Sequence, residues 1–147
     1  MGRKGDSFGS FTILEAGNLG ALKLVHISGT LVCHDTSTRS FWGCEVPSYN
    51  DKTLMKIISY PQDRIPLLPK REFTQMGVPG RVCASDLTYR LDGFDDISPE
   101  IIFNTTSVPL AVSLGQEFRI WYGQDMADCS ETNNSGESCV DVYGWYI

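Results

Sequence analysis

The sequence predicts an all-β fold, a single β-sandwich or jelly roll over residues 1–147. β-Branched and aromatic residues are concentrated in short runs, and such residues favour strands. Clusters of Pro, Gly and Asn separate these runs and are typical of turns. The 147 residues, 41% of them apolar, can supply one sizeable core. Short strands joined by turns therefore predict one sandwich domain.

The first clear strand is predicted in "ALKLVHISGTLVC", residues 21–33. Leu22 and Leu24 lie on one face and Val25 on the other, which predicts a strand buried on both sides. Further strands are predicted in "TLMKIISY" (53–60), "PEIIFNTTSVPLAVSL" (99–114), "EFRIWYGQDM" (117–126) and "SCVDVYGWYI" (138–147). A helical turn fits residues 69–76, since Gly77 and Pro79 stop anything longer.

The charge balance argues against two classes of partner. The net charge is -6, with 20% charged residues and no cluster of basic residues. This sign disfavours the phosphate backbone of nucleic acids and the surface of anionic membranes. No apolar run reaches the roughly 18 residues of a membrane-spanning helix. We expect neither nucleic-acid binding nor membrane insertion.

Five cysteines indicate an oxidising compartment. Cys33 and Cys44 bracket "HDTSTRSFWG", and Cys129 and Cys139 bracket "SETNNSGES". A local disulfide could close each of these stretches. In the alternative pairing Cys83 joins Cys139 or Cys129 and leaves the other unpaired. Either arrangement predicts an extracellular, secreted protein.

Two glycosylation sequons are compatible with secretion. They are Asn104-Thr105-Thr106 and Asn133-Asn134-Ser135. Such triplets are also common by chance, so the sequence alone leaves their use open.

Oxygen-bearing side chains are crowded into the segment before the last strand. They are Asp125, Asp128, Glu131, Thr132, Asn133, Asn134 and Ser135. Calcium takes about 6–8 oxygen ligands and tolerates irregular geometry. If the flanking strands are neighbours, a hairpin loop brings these donors together, and Gly136 permits a tight return through positive φ. The alternative, favoured by the loop alone, is a metal-free hairpin in which Asx and Ser side chains bond nearby backbone.

The order "IWYGQD", spacer, "NNSG" and "CVDVYG" resembles the calcium-dependent galactose-binding lectins of the bacterial galactophilic type. These are small β-sandwich domains in which one calcium ion binds protein and sugar together. The resemblance implies metal ligands at Asp125, Asn133 and Asn134. The upstream "GNLGALKLVHISG" resembles the strand that leads to the carbonyl ligand, which implies the backbone carbonyl of Cys33.

The remaining ligand has three candidates, because the spacer here is longer by a residue than in those lectins. Thr132 is a looser counterpart of their threonine, and Asp128 or Glu131 could replace it. The chain also resembles extracellular animal domains of similar layout, found in secreted or adhesive proteins. That likeness implies a calcium-binding sandwich more directly than a sugar ligand.

The lectin resemblance predicts a carbohydrate partner, galactose-like, whose hydroxyls replace water on calcium. Asp125 and Asn133 would also hydrogen-bond the sugar. Trp42, Tyr49 and Tyr122 are the candidate rings for its apolar face. For Trp121, Tyr143 and Trp145, at alternating strand positions, we expect core packing instead.

Other candidate sites have simpler interpretations. Asp92, Asp95 and Asp96 could hold a second cation, but an Asp-Gly turn explains them as well or better. The adjacent His34 and Asp35 point to opposite faces of a strand and do not form a dyad easily.

Three functions remain in order of preference. The first is a calcium-dependent lectin module, acting as a homo-oligomer or beside tandem copies, since multivalency raises avidity. The alternative is an extracellular adhesion module with a loop made rigid by calcium or disulfides. A carbohydrate-active enzyme comes third, because nothing sets the spacing of its paired carboxylates.

Overall fold

A computed structural model describes residues 7–33, 39–46, 51–70, 75–76, 87–127 and 135–147. Its strands are β1 Gly9–Thr12, β2 Gly17–Val32, β3 Gly43–Val46, β4 Asp51–Leu54, β5 Lys56–Ser59, β6 Gln75–Met76, β7 Leu87–Thr88, β8 Glu100–Asn104, β9 Leu110–Val112, β10 Glu117–Tyr122 and β11 Ser135–Tyr146. A helix of five residues, α1 Gly123–Ala127, follows β10. No helix among the described residues has the length and apolarity to cross a membrane.

Two antiparallel sheets form the body of the molecule. The first has the order β1-β10-β5. The second has the order β11-β2-β8, and β9 also pairs with the start of β2. Two smaller ladders join β3 to β4 and β6 to β7. The 16-residue strand β2 therefore organises the second sheet along its whole length.

Both sheets contribute to one apolar core. Leu22 and Leu24 of β2 and Phe103 of β8 belong to the same buried cluster as Phe118 of β10 and Ile58 of β5. Burial of such side chains stabilises the fold by about 1.5–3 kcal/mol each. The prediction of an all-β sandwich is confirmed.

The outer face of β2 differs from the sequence prediction. Leu22 and Leu24 are buried, but Ile27 is 56% exposed. Lys23 is half-exposed and forms an ion pair with Glu100 of the neighbouring strand, at 3.4 Å. The prediction of burial on both faces is wrong, because only the inner face of this sheet is covered by the other sheet.

Three local predictions also need correction. β10 ends at Tyr122, so Asp125 lies in the first turn of α1 and not at the end of a strand. β10 and β11 belong to different sheets, so the two strands are not the paired arms of a hairpin. Within the predicted helical turn at 69–76, Gln75–Met76 is a strand paired with Leu87–Thr88.

Gly136 adopts the positive φ that the sequence predicted, at 98°. It lies inside β11, opposite Leu31 of β2. A Cβ atom here would collide with the backbone carbonyl oxygen of Thr30. The glycine therefore allows the start of β11 to lie directly against the end of β2.

Candidate functional site

Three separate parts of the chain meet where β2 ends. Cys33 follows β2, Cys44 lies in β3, and Tyr122 ends β10; all three belong to one small buried cluster. The Tyr122 hydroxyl donates a hydrogen bond to the Gly43 carbonyl oxygen, at 3.2 Å. Ser135, the first residue of β11, pairs with Val32 next to Cys33. The first residue of β11 is thereby brought to the same place.

The predicted disulfide between Cys33 and Cys44 is confirmed, with a Cα–Cα distance of 5.6 Å. Its sulfur atoms lie among Leu31, Met55 and Tyr122. The bond closes a loop with a sequence separation of 11 residues. It joins the end of β2 to β3 and so fixes the backbone around Cys33.

The helix α1 starts at this cluster. The Gly123 N–H donates to the Met55 carbonyl oxygen, at 2.7 Å. Gln124, Asp125 and Met126 are all buried, and Asp125 is fully so. A buried carboxylate is costly unless a positive charge or hydrogen-bond donors compensate it. The helix therefore places a charged oxygen donor below the protein surface.

Lys56 supplies one compensating charge for Asp125. This lysine in β5 is fully buried, with its Nζ 5.2 Å from the centroid of the Tyr122 ring. Burial lowers the pKa of Lys56 from 10.5 to about 7, and the Asp125 carboxylate acts in the opposite direction. No role is predicted for this residue from the sequence, although a lysine inside the apolar run "TLMKIISY" is a signal for one.

Tyr89 extends the polar contacts around Lys56. Its hydroxyl donates to the Lys56 carbonyl oxygen, at 2.6 Å. Burial raises the pKa of Tyr89 well above 10.0. The phenol therefore stays neutral and fixes the backbone of β5 beneath the site.

The predicted metal ligands divide into two groups. Asp125 and the Cys33 residue are described and lie at the same end of β2. The other predicted ligands lie outside the described residues; these ligands are Asp128, Glu131, Thr132, Asn133 and Asn134. Tyr49 and Cys129 also lie outside them. Within the described ranges no three His, Cys, Asp or Glu side chains form a group suited to a metal ion. The calcium ligands stay a prediction.

The second predicted disulfide is also untested. Cys139 is exposed and has no disulfide partner among the described residues. Both candidate partners, Cys129 and Cys83, lie outside them.

The aromatic residues are placed differently from the predictions. Trp42 is fully buried, and its Nε1 donates to the Ser98 carbonyl oxygen at 2.6 Å. Tyr122 is buried as well. Neither ring presents a face that a sugar could cover, so their predicted stacking role is not supported. Trp121 is in the core as expected, whereas Tyr143 and Trp145 are 53% and 59% exposed.

The predicted core packing of Tyr143 and Trp145 is therefore wrong. Both lie on β11, which is paired with β2 at the border of its sheet. Lys23 Nζ lies 5.5 Å from the centroid of the Tyr143 ring, on the outer face of this sheet. Alternation along β11 placed these rings on one face, but it did not indicate which face meets the core.

The aspartates at 92–96 form a turn. The Asp95 carboxylate accepts hydrogen bonds from the Ile97 N–H, at 3.0 Å, and the Ser98 hydroxyl, at 3.2 Å. The Asp96 backbone carbonyl accepts from the N–H groups of Phe41 and Trp42. This agrees with the turn interpretation. His34 and Asp35 lie outside the described residues.

A search of solved structures gave a match over the whole chain. AJLec from the sea anemone Anthopleura japonica, a lectin, has a TM-score of 0.77 and 24% sequence identity over 100% of this chain and 91% of its own. The two chains share a fold. The likeness is to an animal protein, and the resemblance to bacterial galactophilic lectins gains no support from it. Neither the family models nor the curated proteins that were searched gave a match.

Proposed function

We propose that this protein is a calcium-dependent carbohydrate-binding module, with a galactose-like sugar as its ligand. One observation carries the proposal: the register of β11 on β2 sets Ser135 beside Val32. The predicted ligands Asn133 and Asn134 directly precede Ser135, and Cys33 directly follows Val32. This register supports the proposal that the two parts of the metal site lie close together. The lectin fold of AJLec supports the same function.

The chemistry of the donors suits calcium. Asp125 offers a buried carboxylate, and Cys33 offers a backbone carbonyl. The side chains of the segment 128–134 include carboxylate, amide and hydroxyl oxygens. These are the hard oxygen ligands that calcium selects. When bound, the ion would supply coordination for sugar hydroxyls. The Cys33–Cys44 disulfide and the Gly123 to Met55 hydrogen bond would hold Cys33 and the helix of Asp125 in place.

The disulfide also supports the proposed extracellular location, because such bonds persist in oxidising compartments. No catalytic role is proposed, and the expectation that the chain is not an enzyme stays a prediction.

The test is thermal unfolding of chelator-stripped protein with and without added calcium. A ligand that binds only the folded state at about 100 times its Kd stabilises it by about 2.7 kcal/mol. We expect a calcium-dependent rise in Tm that Asp125→Asn removes. Asp141→Asn, at an exposed position of β11, is the matched control and should keep it. An equal rise in native protein and Asp125→Asn would contradict the proposed site.

One observation favours an extracellular adhesion module as the second candidate. Trp42 and Tyr122 are buried at the site, while Tyr143 and Trp145 are exposed elsewhere, on β11. Exposed aromatic residues are typical of protein interaction surfaces. A glycan array with no reproducible binding by calcium-loaded protein would favour this function over the lectin.

A further inference from the structure

The sequon Asn104-Thr105-Thr106 lies at the opposite end of β2 from the candidate site. Asn104 ends β8 and pairs with Ala21, near the start of β2. The chain turns immediately afterwards, with the Val108 N–H donating to the Thr105 carbonyl oxygen at 3.1 Å. Asn104 and Thr106 are both exposed. A bulky group on Asn104 therefore requires no change in the sheet.

The three residues of the sequon have different contacts. The Asn104 Oδ1 accepts hydrogen bonds from the Thr106 N–H, at 2.9 Å, and from the Thr106 hydroxyl, at 2.7 Å. Both hydrogen bonds are accepted by the amide oxygen, and neither involves the amide nitrogen. Thr105 points inward, and its hydroxyl donates to the Leu19 carbonyl oxygen at 2.6 Å. The buried middle residue anchors the turn while the outer two face solvent.

A wide apolar groove of about 980 Å³ borders this turn. Asn104 itself lines it, together with Leu91, Phe94, Val108 and Leu110. Val108 is 60% exposed. Sugar rings carry apolar faces that pack against such surfaces. A sugar attached to Asn104 would begin at the edge of the groove and extend over it.

We propose that Asn104 is an N-glycosylation site, that the first sugars of its glycan cover the groove, and that Asn133 stays unmodified. In the transfer, the Asn104 Nδ2 forms a bond to the anomeric carbon of a lipid-diphosphate-linked oligosaccharide. The bond from that carbon to the diphosphate breaks, the lipid diphosphate leaves, and the amide loses one proton. The donor and the transferase belong to the secretory pathway, so this inference rests on the extracellular location proposed above.

The second sequon differs in its role. Asn133 is a proposed calcium ligand, and Ser135 of the same sequon is paired with Val32 in the sheet. A glycan on Asn133 would occupy the position proposed for the bound sugar. We therefore expect glycosylation at Asn104 and not at Asn133. Modification of both sequons would not fit this proposal.

The experiment is secretion from cultured animal cells, followed by intact mass and peptide mapping before and after peptide N-glycosidase. Most secreted molecules should carry one glycan at Asn104. Asn104→Gln and Thr106→Ala should both abolish it, and Ser107→Ala, just outside the sequon, should retain it. An unmodified Asn104 in folded, secreted protein, or a glycan mapped to Asn133, would overturn the proposal.

A second measurement tests whether the glycan covers the groove. Enzymatic removal of the glycan should raise the fluorescence of an apolar dye such as anilinonaphthalene sulfonate, and Val108→Ser in the deglycosylated protein should reduce it again. Equal dye binding before and after removal would overturn the coverage. Calcium binding is measured on bacterially produced protein without a glycan, so failure of the lectin function and failure of this proposal are distinguishable.

Discussion

The two ends of β2 differ in which side chains are buried: charged groups are buried near one end, and apolar groups are exposed near the other. At the Cys33 end, Lys56 and Asp125 are charged groups with no exposure to solvent. At the Ala21 end, the groove beside Asn104 exposes apolar side chains such as Val108. Buried charges and exposed apolar surfaces both cost stability and are the informative exceptions to the usual distribution. The candidate site and the proposed glycan site therefore lie at opposite ends of β2 and are built from different elements.

The charge pair gives the largest expected effect. Asp125→Ala removes an opposite charge that helps buried Lys56 keep its proton, and it should cost about 3 kcal/mol of unfolding free energy in chelator. Lys56→Met in the same background should recover part of the loss, because it removes the charge itself. Urea unfolding of the four proteins in a double-mutant cycle measures this. Additive effects of the two substitutions would show that the residues do not interact.

Loss of the disulfide comes next. Replacing Cys33 and Cys44 together by serine should lower the unfolding free energy by about 3 kcal/mol, as expected for a loop of this size. It should also weaken any calcium response, since the backbone at Cys33 is no longer fixed to β3. Ser10→Ala, at an exposed position on β1, is the control. Native-like stability of the serine variant would show that the bond does not fix this end of the molecule.

The pH dependence of stability tests the buried lysine. The pKa of Lys56 is about 7 in the folded chain and 10.5 in a model peptide, so the unfolded chain holds more protons between these values. Stability in chelator should therefore rise with pH across this window, by on the order of 1–3 kcal/mol. Above pH 10.0 the raised pKa of Tyr89 reverses the trend, because the unfolded chain then loses its phenolic proton first.

Urea unfolding between pH 7 and 9.5 measures this slope. Lys56→Met should remove most of it, since no titrating group remains at the position. A slope that is the same in the variant would place its origin elsewhere in the chain.

The groove end should be the least sensitive to substitution. Val108 is 60% exposed, so Val108→Ser should change the unfolding free energy by no more than about 0.5 kcal/mol. Thermal unfolding of the unglycosylated protein checks this. A loss of several kcal/mol would mean that Val108 belongs to the packed core and that the groove is not an open surface.

Much of the fold could be predicted from local pattern. Alternating apolar residues located β2, and β-branched and aromatic runs located β8, β10 and β11. The bracketing of a turn-rich stretch by Cys33 and Cys44 indicated their disulfide. In these cases the signal lies within the segment itself, in side-chain period or spacing.

The remainder depends on contacts between distant segments. The backbone and ring nitrogens of buried Trp42 donate to carbonyl groups of the 95–98 turn, while Trp145 lies on the outer face of its sheet and is exposed. Sequence spacing contains neither fact. The same limit explains why β10 and β11 were predicted as neighbours: which sheet a strand joins is decided by its partners.

For the candidate site, the sequence predicted the type of ligand atom better than the residues that surround it. Asp125 was singled out as an oxygen donor, but its helix and its buried partner Lys56 came only from the structure. Five residues are too few for a helical period to be visible in the sequence.

Calorimetric titration of galactose into calcium-loaded protein, repeated after chelation with EDTA, tests the proposed calcium-dependent sugar site. We expect saturable binding that chelation abolishes, that added calcium restores, and that Asp125→Asn lacks. Galactose binding that persists undiminished in EDTA would contradict a calcium-dependent site.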